Sequence, residues 1–523
     1  MARVVTAASF AVVRGSVGRW MQHEIAAQSA AVLGGVGALL VLVPPRRPSL
    51  LAGFFALAVA EALLAYALVP GDDLRRLGSP LGAVALAAGA ALGALLTLAF
   101  VRRPGIVPLA FLVVAPFRLP LEVGDQRAFL LVPLYAVLGA GVLALTVRAV
   151  RGEPIRSLPL PLGAAAGVYV ALAGASFLWT DDPRAGAISL GFFLFPFVAL
   201  LAVVARSPLP RRLPRAAAAI LVTLACLFAV IGLSQLWTKR LFFAEDLEVA
   251  NTYTSYFRVT SLFKDPSLYG RHLVIAIAVL LVALLLGRSR IAVVAPVVGL
   301  LFAGLFFSYS QSSMLTLATV TLAVALVAGD RRVRLVVGSA AAVIVLAAGG
   351  VVAASVHGEP AKRATSGRST LATAAADVFA AHPVVGVGIG GQARASAEEV
   401  RGGEGVRRSV SHATPLTVAA ELGSIGLLAY LGFLAAAAAA LIAVHKRNPA
   451  LGLGLGAAFL ALVVHSLFYS GFFEDPIAWG VLGLVCAALA VLPARASVPV
   501  RQPAAPTPAT ASASVAGRQS PTT

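Results

Sequence analysis

Charge is scarce in this chain: only 12% of its 523 residues are Asp, Glu, Lys or Arg, against 59% hydrophobic residues. A water-soluble domain carries about 25% charged residues, so a soluble enzyme is excluded. Acids are the scarcer sign, 22 against 41 basic residues, and the formal net charge is +19. On a soluble protein that excess would suggest nucleic acid. Here the basic residues stand in short clusters between long apolar runs, which is the pattern of membrane topology, and no nucleic-acid partner is expected. Cysteine is nearly absent: Cys226 and Cys486 both lie inside apolar runs, which excludes a disulfide framework and a thiolate metal site. Nor do the acids cluster with metal-ligand spacing. Asp72-Asp73, Asp181-Asp182 and Glu474-Asp475 are single paired steps near proline, suited to turns and helix caps. Neither a metal nor a cofactor is expected.

What the chain has in abundance is apolar length. Fifteen stretches approach or reach the roughly 20 residues with which a helix crosses about 30 Å of hydrocarbon. They cover residues 27–43, 50–69, 81–101, 106–117, 128–147, 158–178, 185–205, 216–237, 273–287, 291–307, 311–329, 335–354, 424–444, 451–470 and 477–493. The fourth is short and interrupted by Pro108 and Pro116. The expected fold is all-α, a polytopic transmembrane helical bundle of about 13–15 spans with a long external loop carrying short amphipathic helices.

Arg and Lys favour cytoplasmic connections, and alternate connections here separate by sign. One set is almost purely basic: Arg46 and Arg47, Arg102 and Arg103, Arg148 with Arg151 and Arg156, Arg211 with Arg212 and Arg215, Arg288 and Arg290, Arg331 with Arg332 and Arg334, and Lys446 with Arg447. The other carries Asp72, Asp73, Glu122, Asp125, Asp181, Asp182, Glu474 and Asp475. Placing the first set inside puts residues 494–523, rich in Pro, Ala, Thr and Ser, in the cytoplasm as a disordered tail. Residues 1–26, with Arg3, Arg14 and Arg19, read as an N-terminal interfacial segment. Between them the expected order is transmembrane helices over 27–237, an external loop over 238–272, helices over 273–354, a large external catalytic loop over 355–423, and C-terminal helices over 424–493.

The two external segments are too long to be turns, and function concentrates in such loops. In the longer one, residues 369–381 read as a helix with Leu371, Ala375, Val378 and Phe379 on one face, lying on the membrane or against the bundle and ended by His382 and Pro383. A second short helix begins after His412, with Pro415 in its first turn and Gly423 closing it. Gly386, Gly388, Gly390 and Gly391 superficially look like a dinucleotide fingerprint, but they follow a helix rather than a strand. They read as a tight turn whose main-chain N–H groups approach an anion. The remaining candidates are cations and one imidazole. Arg258 lies in Tyr256-Phe257-Arg258-Val259-Thr260-Ser261-Leu262-Phe263-Lys264-Asp265-Pro266, Arg271 follows where the chain re-enters the membrane, and Arg368 opens the loop helix. A guanidinium stays charged and offers a planar fork that fits phosphate oxygens, as a lipid-linked diphosphate requires. The plainer role for each is pairing with ordinary headgroups. His412 titrates near neutrality and is a candidate base for a sugar hydroxyl, or else a helix-capping side chain.

Three blocks carry a resemblance through their order and spacing. The first is Arg258-Val259-Thr260-Ser261-Leu262-Phe263 with Asp265-Pro266. The second is Ser366-Gly367-Arg368, the apolar stretch to Ala381, and His382-Pro383-Val384-Val385-Gly386-Val387-Gly388-Ile389-Gly390. The third is His412-Ala413-Thr414-Pro415-Leu416 followed by Glu421-Leu422-Gly423-Ser424-Ile425-Gly426. Together they resemble the O-antigen ligase and O-antigen polymerase superfamily of bacterial envelope glycan enzymes. The likeness covers about residues 176–489 when Trp179-Thr180-Asp181-Asp182-Pro183 is counted as similar to the family's Ser/Thr-x-Asp-Pro loop. Two departures stand out: Ser310-Gln311-Ser312 replaces a frequent Ser-Arg-Gly, and Ala413 replaces a frequent Asn.

The resemblance implies a metal-independent glycosyltransferase of the bacterial plasma membrane that uses an undecaprenyl-diphosphate-linked glycan as donor on the external side. A glycan or lipid-linked acceptor and membrane lipids are its expected partners. On that expectation Arg258 and Arg368, with Arg271 and Lys264, bind the diphosphate. His412 deprotonates the acceptor, and Glu421, Gly386 and Gly388 support the site. Attack is expected to be direct and inverting, since no carboxylate pair is placed to form a glycosyl-enzyme. The alternative from another class is a polytopic transporter or lipid-linked glycan flippase. Carriers place broken helices and polar groups at mid-membrane between internal repeats. Here Glu61 and His465 are the few ionisable residues within the expected spans, and no repeat is visible.

Overall fold

The computed structural model describes residues 23–43, 46–69, 79–123, 126–339, 368–399 and 411–493. The interfacial segment up to residue 22, most of the 335–354 span, the first part of the large external loop with Ser366 and Gly367, and the tail beyond 493 lie outside the described residues. The chain is an all-α polytopic bundle. In order it runs α1 (His23–Leu42), α2 (Arg47–Leu68), α3 (Pro80–Arg102), α4 (Val107–Val114), a hairpin of β1 (Leu119–Val123) and β2 (Gln126–Leu130), α5 (Val132–Val150), α6 (Leu160–Ser176), α7 (Pro183–Ser189) and α8 (Phe195–Ala205). It continues through α9 (Leu213–Thr238), α10 (Glu245–Asn251), α11 (Pro266–Leu285), α12 (Ile291–Ser308), α13 (Gln311–Ala328), α14 (Arg368–Ala381), α15 (Gln392–Glu399), α16 (Thr414–Arg447), α17 (Pro449–Ser466) and α18 (Pro476–Val491). Among the described residues twelve helices are long and apolar enough to cross a membrane, with α7 and α8 joined as one across the π-turn Leu190–Leu194.

Helix starts follow local chemistry. Proline stands in the first turn of α3, α5, α6, α11, α16, α17 and α18, where its missing N–H is not needed. Side-chain oxygens of Ser79, Asp182, Asp265, Ser310, Asn448 and Asp475 accept from backbone N–H groups at helix N-termini. The core is built round α8, buried at every position except Pro196, which packs against α18. The other main pairings are α6 with α16 and α11 with α12, α13 and α17. An aromatic knot of Tyr169 stacked on Phe473 (4.1 Å between centroids), with Tyr430, Phe433, Phe472 and Trp479, ties α6 and α16 to the entry of α18.

Two expectations need correction. Residues 106–117 do not form a full crossing helix: α4 has eight residues, about 12 Å of rise. Pro116 then denies the donor and the space that a further turn needs, and the chain passes through Arg118 into the antiparallel hairpin, Leu119 pairing with Leu130 and Val123 with Gln126. The span expected at 273–287 begins earlier, at Pro266, because Asp265 caps it, so Arg271 and His272 lie inside a helix rather than in a loop.

Basic connections converge on one face. Arg206 Nη2 donates to the Val41 carbonyl oxygen at 2.8 Å, Arg47 donates to that of Gly152, and Arg447 donates to those of Leu489 (2.9 Å) and Leu492 (3.1 Å). Guanidinium groups thereby satisfy carbonyls left open at helix C-termini. The orientation assigned from charge is testable with Cys226→Ala and Cys486→Ala as background. A membrane-impermeant maleimide should label Asp246→Cys in intact cells and Arg212→Cys only after lysis; the reverse pattern would invert the assignment.

Candidate functional site

The glycine-rich turn is where the long loop meets the bundle. Within α16, Gly423 has φ 64° and ψ −163°, a non-helical conformation that divides the helix. The N–H groups freed beyond the break find acceptors in the loop: Ser424 donates to the Pro383 oxygen at 2.8 Å and Ile425 to that of Val384 at 3.3 Å. On the near side, Val387 donates to the Ala420 oxygen (3.0 Å) and Gly388 to that of Glu421 (2.8 Å). A Cβ at Gly386 would stand 2.3 Å from the Glu421 carbonyl carbon, and one at Gly388 2.5 Å from the Thr180 Cα. Both positions also have positive φ, 67° and 84°, so only glycine fits.

This wedge corrects the expectation that the turn receives an anion. The Gly386 N–H bonds to the His382 oxygen, that of Ile389 to Ser176 Oγ and that of Gly391 to the Gly388 oxygen, while those of Gly390 and Gln392 face the Glu421 carboxylate. With Val387 and Gly388 already paired, the donors of this turn are directed at acceptors inside the protein. Gly386 and Gly388 are structural. Preceding the turn, α14 packs on α16, burying Ala374, Ala375 and Val378, so it lies against the bundle.

Glu421 starts a chain of contacts that ends at His412. Its buried carboxylate holds the first turn of α15, where Gln392 Oε1 accepts from the Ser411 N–H at 2.9 Å and Gln392 Nε2 donates to Ser396 Oγ at 2.8 Å. Ser411 Oγ in turn accepts from the Ala413 N–H at 3.2 Å. His412, held between those two residues, is half-buried, and its ring lies 6.2 Å from that of Tyr469.

Tyr469 joins His412 to a recessed charged cluster. Its hydroxyl feels the charges of Asp265, Arg271, Arg118 and Glu474, and burial raises its pKa above the usual phenol value. Arg271, on α11, pairs with Asp475 through Nη2 and Oδ2 at 2.9 Å, both side chains being buried. Asp475 Oδ1 also caps α18 through the Ile477 N–H at 2.9 Å. Next to it, Glu474 reaches solvent yet is walled by protein. Burial raises its carboxyl above the usual range, opposed by Arg118 and Arg271. Phe117, one residue before Arg118, packs edge-on against Phe228 (6.0 Å), which packs in turn against His272 (6.1 Å). The cluster sits below the helix ends. Arg271 lies six residues beyond the cap of α11, about 9 Å along the axis, and α18 has sixteen residues, about 24 Å, short of roughly 30 Å of hydrocarbon.

The other expected cations stand on separate elements. Arg258 is half-buried at the C-terminus of α12, its Nε facing the Ser308 carbonyl oxygen at 3.4 Å, a favourable end for a cation. Its backbone is fastened by Asn251, whose Oδ1 accepts from the Arg258 N–H and whose Nδ2 donates to the Arg258 oxygen, both at 3.1 Å. Lys264 is exposed just before the Asp265 cap. Arg368 is the first residue of α14. Sequence reasoning missed Arg118, Tyr469, Gln392 and Gln235. Gln235 clamps the turn after Arg258, accepting from the N–H groups of Thr260 (3.0 Å) and Ser261 (2.9 Å) and donating to the Ser261 oxygen (3.0 Å). At the Ser310-Gln311-Ser312 departure, Ser310 bonds Ser267 Oγ (3.2 Å) and Ser313 Oγ (2.9 Å), closing α13 onto α11. Among the described residues no three His, Cys, Asp or Glu side chains form a metal-type cluster.

The wedged loop thus brings the His412 imidazole beside Tyr469 and its charged neighbours in a polytopic bundle. A family model described as O-Antigen ligase matches residues 275–431, and that match supports a likeness to the O-antigen ligase and polymerase superfamily over that segment. The match takes in Arg368, the glycine turn, His412 and Glu421, and it supports an enzyme of glycan ligation or polymerisation. No curated protein matches the chain.

Two substitutions test the wedge. Gly423→Ala puts a Cβ 2.2 Å from the Val384 oxygen on a left-handed backbone, and should destabilise the detergent-solubilised protein by about 3 kcal/mol or more. Gly432→Ala, with open space at its Cβ, should leave the melting temperature unchanged. Glu421→Ala strands two buried N–H donors and should cost about 2–5 kcal/mol, with Glu421→Gln intermediate because one acceptor oxygen remains.

Proposed function

We propose that the protein transfers a glycan from an undecaprenyl-diphosphate-linked donor to a glycan or lipid-linked acceptor on the external side of a bacterial plasma membrane. The observation that carries this reading is the position of His412, delivered by the wedged loop to the Tyr469 ring beside Arg271 and Glu474. The acceptor hydroxyl gives its proton to the His412 imidazole while its oxygen attacks the anomeric carbon of the donor sugar. The bond from that carbon to the phosphate oxygen breaks, and its electron pair leaves with undecaprenyl diphosphate. One displacement inverts the anomeric carbon.

Arg258, Arg368 and Lys264 hold the diphosphate, with Arg271 acting from its ion pair with Asp475. Their charge stabilises the negative charge that grows on the leaving group. No metal is required where guanidinium groups take that part. The same chemistry serves a ligase and a polymerase, which differ in the acceptor alone. A carrier would use a polar path through mid-membrane; the ionised groups named here gather instead at one end of the bundle.

His412→Ala and Arg368→Ala should each abolish the long surface glycan while the protein stays in the membrane. With purified protein and a lipid-linked oligosaccharide, His412→Ala should slow release of undecaprenyl diphosphate by about 10²–10⁴-fold, and excess chelator should leave the wild-type rate unchanged. Normal glycan in both variants would end this mechanism.

A further inference from the structure

Arg118 is unassigned by anything so far. It sits at the root of the β-hairpin, directly before the Leu119–Leu130 pair, and its neighbour Phe117 packs on Phe228, whose ring in turn packs on His272. That places it beside the Arg271–Asp475 ion pair, within electrostatic reach of Glu474, Tyr469, His272 and Tyr135. Two of the carboxylates nearby are otherwise engaged. Asp475 holds Arg271 and caps α18, and Asp265 caps α11 through the Ser267 N–H at 2.6 Å. Glu474 makes no ion pair with Arg118 within 4.0 Å, and among the described residues Arg118 has no ion-pair partner. Half-buried and without an ion-pair or hydrogen-bond partner for its side chain among the described residues, this guanidinium keeps its planar fork open to an anion.

We infer that Arg118 binds a phosphate group of the lipid-linked diphosphate, as a cation contributed by the hairpin root to the site of His412. The inference rests on the function proposed above and adds a binding residue outside the segment that the family model matches. The hairpin gives the role a structural reason: α4 stops after eight residues, so the following coil delivers Arg118 into the recess rather than to the membrane surface. A guanidinium there can offer two parallel N–H donors to phosphate oxygens, a fork that lysine lacks.

The competing role is a distant counter-ion to Glu474, and a double-mutant cycle separates the two. The probe is undecaprenyl diphosphate, titrated against the full chain in lipid nanodiscs, with undecaprenyl monophosphate as comparison. Arg118→Gln, chosen to remove the charge while leaving a polar side chain, should weaken diphosphate binding about ten- to a hundredfold. Arg118→Lys should recover part of it, and the loss should be of similar size in a Glu474→Gln background. Each variant is scored at unchanged melting temperature, and Arg118→Lys serves where Arg118→Gln melts lower. Wild-type affinity in Arg118→Gln, or a loss that disappears in the Glu474→Gln background, overturns the inference while wild-type binding leaves the proposed function standing. Failure of the wild type itself to bind undecaprenyl diphosphate overturns both.

Discussion

Hydrocarbon offers a peptide group no partner, so wherever a helix breaks inside or near a membrane, some other part of the chain must supply the missing hydrogen bonds. The break at Gly423 meets that demand with the segment from Pro383 to Gly390. Carbonyls of the loop accept from the second half of α16, and N–H groups of the loop donate to carbonyls of the first half. Two irregular segments, each untenable alone, complete one another. The far side of the same turn bonds Ser176, and Thr180 Oγ1 donates to the Ile389 oxygen at 2.7 Å, so the loop is bound between α16 and the α6–α7 connection. A loop that sequence would allow to wander is thereby a fixed part of the bundle, and the short path through Glu421, Gln392 and Ser411 carries that rigidity to His412. Groups meant to act on a reacting centre gain from such preorganisation.

A second consequence concerns where charge can reside. Arg271 and Asp475 neutralise each other out of water, and Asp475 is simultaneously the cap that allows α18 to begin there. The pair closes the bottom of the recess. Above it stand groups with solvent access, Glu474 and Arg118, and the Tyr469 ring that links them to His412. In such an enclosed place charges act on one another more strongly than at an open surface, yet the loss of water round Glu474 outweighs the pull of Arg118 and Arg271 and holds its carboxyl towards the neutral form.

Much of the architecture was legible in residue order. Span positions followed from apolar length, helix starts from Asp-Pro, Asn-Pro and Ser-Pro steps, and the Gly423 break from a glycine at the end of a short polar-apolar helix. The early start of α11 was legible too, since Asp265-Pro266 is a cap followed by a first-turn proline, but hydropathy alone placed Arg271 and His272 outside. The hairpin after Pro116 was hidden inside what looked like a weak span. Gln235 and Gln392, a polar residue late in an apolar run and one beside a glycine run, carry no local mark of the backbone they clamp. Nor did the glycine run reveal that its donors were already engaged.

Composition and periodicity were enough to establish a polytopic helical bundle, because the length and apolarity of a segment are properties of that segment alone, and caps act within one turn of their own residue. Which cation faces which anion is a different kind of fact. Arg271 meets Asp475 across two hundred residues, Arg118 reaches the same recess from the other end of the chain, and the Glu421 carboxylate turns a glycine run inward. Those partnerships depend on how separate helices pack, and folding alone decided them, since electrostatic and hydrogen-bond contacts are set by distance in space and not by spacing along the chain.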